Sequence, residues 1–225
     1  MTEITERLAE IVERVAAAAT RAGRDANDVT IVAVSKAQPA AAIAAAHAAG
    51  VRHFGESYVQ EADAKMDLLT ELPINWHFIG KLQANKTRLV AERFGWVHTV
   101  DRARIAERLN EQRPPHAPPL NVLIQVNQGG DAHRGGAAPE EVAALASVIV
   151  ALPRLHLRGL MTVPPQHGAP GRWFAELADL NARLRTAGID LDALSMGMSA
   201  DFEAAIAAGA TLIRIGTAIF GDRAS

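Results

Sequence analysis

"TIVAVSKAQP", residues 30–39, carries the reading on which the fold turns. Ile31 to Val34 form a β-branched, apolar run, the pattern of a strand covered on both faces. Ser35 and Lys36 follow it, and Pro39 opens an Ala-rich helical stretch. That stretch, 40–48, closes at Gly50. Val51 to Phe54 then make a second short strand, ended by Gly55. Strand, short loop, helix, short loop, strand is the unit of a parallel sheet. Lys36 sits where the first strand ends. A solvated strand end with a snorkelling side chain accounts for it; so does an amine placed for chemistry.

The same unit recurs outward from this stretch. Strands are expected near 29–35, 51–54, 76–79, 96–100, 120–127 and 155–161, within 191–197, and at 211–216. Helices are expected at 40–48, 58–69, 86–93, 102–112, 140–151, 172–187 and 200–208. Ile4, Leu8, Ile11, Val12 and Val15 recur at helical spacing, which predicts an additional amphipathic helix over the first 21 residues or so. Eight β/α units in 225 residues suit one closed (β/α)8 barrel spanning 1–225. A doubly wound open sheet is the alternative. No G-x-G-x-x-G turn follows any strand, so the usual dinucleotide fingerprint is missing.

Composition narrows the function. There are 23 basic and 25 acidic residues, for a net charge of −2, with no long basic run. An electrostatic nucleic-acid footprint is therefore not expected. The absence of cysteine excludes disulfides, thiolate catalysis and cysteine-bound metals. The N-terminal stretch lacks a signal-peptide apolar region, and no apolar run approaches membrane-spanning length. The expectation is a soluble, cytoplasmic protein. Lysine is scarce: Lys36, Lys65, Lys81 and Lys86 stand against 19 arginines.

In a barrel, functional groups gather at the C-terminal ends of the strands. Those ends offer Lys36, then Glu56 and Ser57, Asp101 and Arg102, Met161 and Thr162. Asp131, His133 and Arg134 lie in the loop after strand five. Ser195 to Ser199 follow strand seven, and Arg214, Gly216 and Thr217 close strand eight. "MGMSAD" and "IGTA" combine small residues, hydroxyls and backbone N–H groups near helix starts, which suits a phosphate. Glycine and serine there also serve as plain turn formers. No H-E-x-x-H, tight His/Asp cluster or G-x-S-x-G is present, so no metal site or serine-hydrolase elbow is expected. His77 and His98 lie in strand segments, where a hydrogen-bonded structural role is the ordinary one. Met161, Met196 and Met198 read as packing under a cofactor or core. An amine, a phosphate nest and an inward arginine fit an aldehyde cofactor with a phosphate handle, such as pyridoxal 5′-phosphate (PLP). Lys36 extends a buried strand and ranks above its rivals Lys81 and Lys86.

The motifs "AVSKAQP", "HFGESYVQE", "WHFIGKLQANKTR", "LIQVNQGGDAHRGG", "LRGLMTVPP" and "LSMGMSADFEAAIAAGATLIRIGTAIFG" closely resemble the pyridoxal phosphate homeostasis proteins. The resemblance covers residues 30 to 221. It implies a fold-type-III PLP barrel, similar to the N-terminal domain of alanine racemases and eukaryotic ornithine decarboxylases. It places Lys36 on the Schiff-base lysine and Arg214 on the arginine facing the pyridine nitrogen. Ser199, Gly216 and Thr217 fall on the phosphate-binding region. Met198, Ser57, His77 and Ser195 complete the expected cofactor-binding set. Two departures stand out. Ser57 replaces the family's asparagine, and Asp131 and Arg134 stand where an acid and a lysine are usual.

The resemblance also implies a protein without efficient catalysis that controls PLP supply and, indirectly, amino-acid and keto-acid balance. Transient contact with apo PLP enzymes and a monomer or weak dimer are expected. Chemistry agrees independently. Arginine does not readily give a proton to the ring nitrogen, which leaves the ring a weak electron sink. A racemase would also need a second base, and the only tyrosine is Tyr58. Tyr58 is expected to start a helix packed on the barrel. A weak racemase-like enzyme and an interaction protein without cofactor are the competing readings.

Overall fold

Along the first strand, β1 (Thr30–Val34), alternate residues face two different cores. Val32 joins Leu123, Met161, Ala193 and Leu212 in a cluster inside the barrel. Ala33 joins the larger cluster between the strands and the surrounding helices. The same split recurs on β5, where Leu123 faces in between Val122 and Ile124, and on β8, where Leu212 faces in and Ile213 out, and it is what a closed sheet requires. A computed structural model describes residues 3–130, 135–165 and 168–221.

The remaining strands are β2 (His53–Glu56), β3 (Asn75–Phe78), β4 (Trp96–Val100), β5 (Leu120–Gln125), β6 (Leu155–Met161), β7 (Ala193–Ser195) and β8 (Leu212–Ile215). All pair in parallel in sequence order. β1 returns to β8 with Val32 opposite Arg214, which closes the barrel and excludes the open sheet. The helices are α1 (Glu3–Arg21), α2 (Ala40–Ala48), α3 (Val59–Leu68), α4 (Thr87–Arg93), α5 (Ala103–Gln112), α6 (Val142–Val150), α7 (Pro170–Thr186), α8 (Phe202–Ala207) and α9 (Thr217–Phe220).

Two boundaries differ from the sequence expectation in ways that shape the site. β2 starts two residues later than expected, because His53 pairs with Val32 and Gly55 with Val34. Glu56 thereby becomes a strand residue rather than a loop residue. The four-residue α9 after β8 is too short to show a helical period.

The seam between β7 and β8 is the shortest pairing. α1 covers the outside of that region, packing on α8 and α9. It buries Leu8, Ile11, Val15, Ala18 and Ala19, and each large aliphatic side chain so buried is worth about 1.5–3 kcal/mol. Arg24 reinforces the junction by donating to the carbonyls of Ile206 and Ala210 at 2.9 and 2.8 Å. Gly159 marks the closest approach between strands: at φ 152°, a Cβ there would lie 1.8 Å from the Ala193 carbonyl oxygen. No helix among the described residues is long and apolar enough to cross a membrane.

Candidate functional site

Inward-facing residues at the C-terminal ends of β1, β7 and β8 open onto one cavity of about 440 Å³. Lys36, Ser57, Met198, Ser199, Arg214, Gly216 and Thr217 line it, with Val34, Ile79 and Val163 as apolar walls. Alternation explains the convergence. Val32, Val34 and Lys36 share one face of β1 and its extension. On β8, Ile213 and Ile215 pack in the outer core, so Arg214 between them turns inward. Ser199 and Thr217 bring their hydroxyl oxygens to 3.5 Å from one another.

Arg214 is 5 % exposed. Nη1 donates to Ser195 Oγ at 2.6 Å, and Nη2 donates to the Thr162 carbonyl at 2.8 Å. A guanidinium has five N–H groups, so donors remain for a ligand in the cavity. Burial pulls Arg214 down to about 10, which still leaves it a cation at neutral pH.

Ser195 and His77 do not line the cavity. Both are fully buried in the barrel interior. They belong to a chain of side chains running away from Arg214. Ser195 Oγ is 2.9 Å from His98 Nδ1, His98 Nε2 is 2.8 Å from His77 Nδ1, and His77 Nε2 is 2.9 Å from His53 Nδ1. Arginine can only donate, so Ser195 Oγ accepts from it. The tautomers that also give the buried Ser195 hydrogen an acceptor have Ser195 donating to His98 Nδ1 and each imidazole donating from Nε2 to the next. Burial holds His77 and His98 well below the ordinary imidazole value; the neighbouring imidazoles add to this at His77, and Arg214 and His53 at His98. His77 also stacks on Trp96, centroids 5.3 Å apart and 13° from parallel.

The rival amines lie elsewhere. Lys81 and Lys86 line a second cavity of about 380 Å³ with Tyr58, away from Arg214. Tyr58 starts α3 as expected, but it is 61 % exposed rather than packed on the barrel. Met161 and Met196 are core residues, whereas Met198 reaches the cavity. Asp131, His133 and Arg134 lie outside the described residues. Among the described residues no group of three or more His, Cys, Asp or Glu is arranged to hold a metal.

Sequence reasoning missed the supports of the site. Lys65 and Glu56 are buried side by side against Ser35, the residue before Lys36, with Lys65 Nζ 2.7 Å from Glu56 Oε1. The spacing of Glu61 and Lys65, four apart on one helix, was the available signal, and it usually marks a solvated pair.

The residues fit PLP. The volume falls in the range of small-molecule sites. The wall holds an amine, a buried guanidinium and two adjacent hydroxyls. A Cβ at Gly216 would reach only ordinary contact with Val34, at 3.5 Å. Nothing in the surrounding packing therefore demands glycine there, and the backbone is left bare toward the cavity. A pyridine ring with a phosphate arm and an aldehyde matches that donor set.

Comparison with known proteins agrees. The family model for the alanine racemase N-terminal domain matches residues 7–224. The pyridoxal phosphate homeostasis protein of Pseudomonas aeruginosa is 53 % identical over 223 residues, covering 99 % of this chain and 97 % of that protein. PipY of Synechococcus elongatus, solved without PLP, superposes with a TM-score of 0.88 at 39 % identity, covering 97 % of this chain and 100 % of that one. The same protein with PLP bound gives a TM-score of 0.84 at the same identity and coverage. The cavity and these matches lead to one assignment: the chain belongs to the pyridoxal phosphate homeostasis protein family.

Proposed function

We propose that this chain, acting as one domain over 1–225 in the cytoplasm, binds PLP reversibly in the 440 Å³ cavity and buffers or delivers it. The observation that carries the reading is the convergence of Lys36, Arg214, Ser199 and Thr217 on that one cavity. When bound, the cofactor supplies an aldehyde for covalent capture and a ring that can act as an electron sink. Lys36 is the amine that captures it, as a Schiff base. Arg214 faces the ring nitrogen and keeps it without a proton, being a cation that itself does not give one up readily. Ser199, Thr217 and the backbone at Gly216 hold the phosphate. Ser57 and Met198 border the ring, while Ser195 and His77 act from beneath, through Arg214.

Efficient turnover is not part of this reading. Arg214 in place of a carboxylate mutes the ring, and Tyr58, the sole tyrosine, lines the other cavity. Contacts with apo PLP enzymes are transient, and the chain works as a monomer or weak dimer.

The test is spectroscopic and chemical. Protein incubated with PLP should show the visible band of a lysine–pyridoxal Schiff base, and borohydride should fix one adduct on Lys36. Lys36→Ala should lose the band and keep its fold by circular dichroism. An adduct mapped to Lys81 or Lys86 would overturn the placement. Turnover above about 1 s⁻¹ on any amino acid, the ordinary enzyme range, would overturn the carrier reading. Transfer of PLP to an apo-enzyme should proceed without such turnover.

A further inference from the structure

Among the described residues, Ala37 is the only non-glycine with positive φ, at 60°. A Cβ makes this conformation unfavourable, and it persists only where the surroundings hold it. Ala37 directly follows Lys36. Its N–H donates to Glu61 Oε1 at 2.6 Å. The Lys65 ammonium holds the same carboxylate oxygen, also at 2.6 Å. Lys65 Nζ donates in addition to the Ser35 carbonyl and to Glu56 Oε1, both at 2.7 Å. Glu56 Oε1 in turn accepts from the Ser35 hydroxyl at 2.7 Å.

An ammonium has three donors. Lys65 directs all of them at the two residues flanking Lys36 or at the carboxylates that hold those residues. Its side chain is 8 % exposed and that of Glu56 is fully buried. Ion pairs buried this deeply contribute little net stability, because desolvation offsets their attraction. Fold stability alone is thus a weak account of the cluster, and its position around one residue is a better one.

We infer that Lys65, with Glu56 and Glu61, is the positioning set for Lys36: it pins the backbone on both sides so that the Lys36 amine enters the cavity in one orientation. The inference rests on the reading that Lys36 captures PLP. Small misplacements of a reacting group cost large factors in rate.

A double-mutant cycle tests it. Glycine adopts the φ of Ala37 without strain and needs no external hold. The rate of borohydride-trappable adduct formation on Lys36 is measured in the wild type, Lys65→Met, Ala37→Gly and the double variant. Lys65→Met should slow it about tenfold while competition by inorganic phosphate stays unchanged. In the Ala37→Gly background the same change should cost less than about threefold, the coupling expected of residues in one network. An equal loss in both backgrounds, or none in either, would overturn the inference. Should Lys65→Met fail to fold, Glu61→Ala removes the same link from a partly exposed position and must show the same coupling. A wild type that forms no adduct on Lys36 would instead refute the proposed function, a separately readable result.

Discussion

Arg214 donates to Ser195 Oγ at 2.6 Å, and that oxygen is also 2.9 Å from His98 Nδ1. One small hydroxyl therefore joins the cation of the cavity wall to the histidine chain inside the barrel. Ser195→Ala removes the acceptor from Arg214 and the partner from His98, both buried. A lost bond to a charged group costs about 1.5–3 kcal/mol. Urea unfolding of Ser195→Ala should show a stability loss of about that size. A loss within experimental error would mean that water replaces the hydroxyl.

The histidine chain also sets a pH dependence. His77 and His98 are held neutral well below 6.5 by burial, and His53 is lowered as well. Unfolding returns each to its ordinary value, so below about pH 6.5 the unfolded chain binds more protons. Their contribution is fully present above that pH and is lost as pH falls, by up to about 1.4 kcal/mol per unit for each group. Glu56 acts in the opposite sense: burial raises it from 4.5, so its contribution is present at low pH and fades as pH rises. Between about pH 4.5 and 6.5 the imidazoles outnumber that one carboxyl. Stability from urea titrations should drop by about 2–3 kcal/mol between pH 7 and 5.5. A flat profile would show that the imidazoles take up as many protons in the folded protein as in the unfolded chain.

Strands and helices were legible because each strand is a short apolar run bounded by glycine or a polar loop, as in 30–36 and 211–216. The inward turn of Arg214 followed from its place between two isoleucines. The histidine chain was not legible. His53, His77 and His98 come from three neighbouring strands, and only the register, with Gly55 opposite His77 and His77 opposite Trp96, brings them together. Glu56 read as a loop acid because Val51 and Arg52 looked like strand. Pairing to β1 moved that strand by two residues and turned Glu56 toward α3. Lys65 then became a buried residue, although its local pattern is that of a surface helix.

Gly159 offers a sharp check of the barrel's closure. Its φ of 152° is hard for other residues, and an added Cβ would meet the Ala193 carbonyl at 1.8 Å. Backbone cannot yield as a flexible side chain would. Gly159→Ala should push β6 and β7 apart and cost more than about 3 kcal/mol, measured as a fall in urea midpoint or as loss of soluble protein. Gly171→Ala, with nothing within 4 Å of the new Cβ, should stay within about 0.5 kcal/mol of wild type.

Ser57 gives the last prediction. It lines the Lys36 cavity and also the cavity beside Lys81 and Lys86. Its backbone is fixed, since its carbonyl oxygen packs so closely on Gly80 that a Cβ there would lie 2.1 Å away. A substitution at 57 therefore changes the side chain without moving the loop. Serine offers one short hydroxyl; asparagine extends an amide further into the cavity with both donors and an acceptor. One net hydrogen bond is worth about 0.5–1.5 kcal/mol, or about two- to twelvefold in affinity. Ser57→Asn should tighten PLP binding by that factor in equilibrium titration and leave thermal stability nearly unchanged. It should also slow PLP release, because affinity changes at one site act mostly through dissociation. Unchanged or weaker binding would place the cofactor ring away from this rim. Tighter binding together with slower release would show that serine at this position favours dissociation of the cofactor.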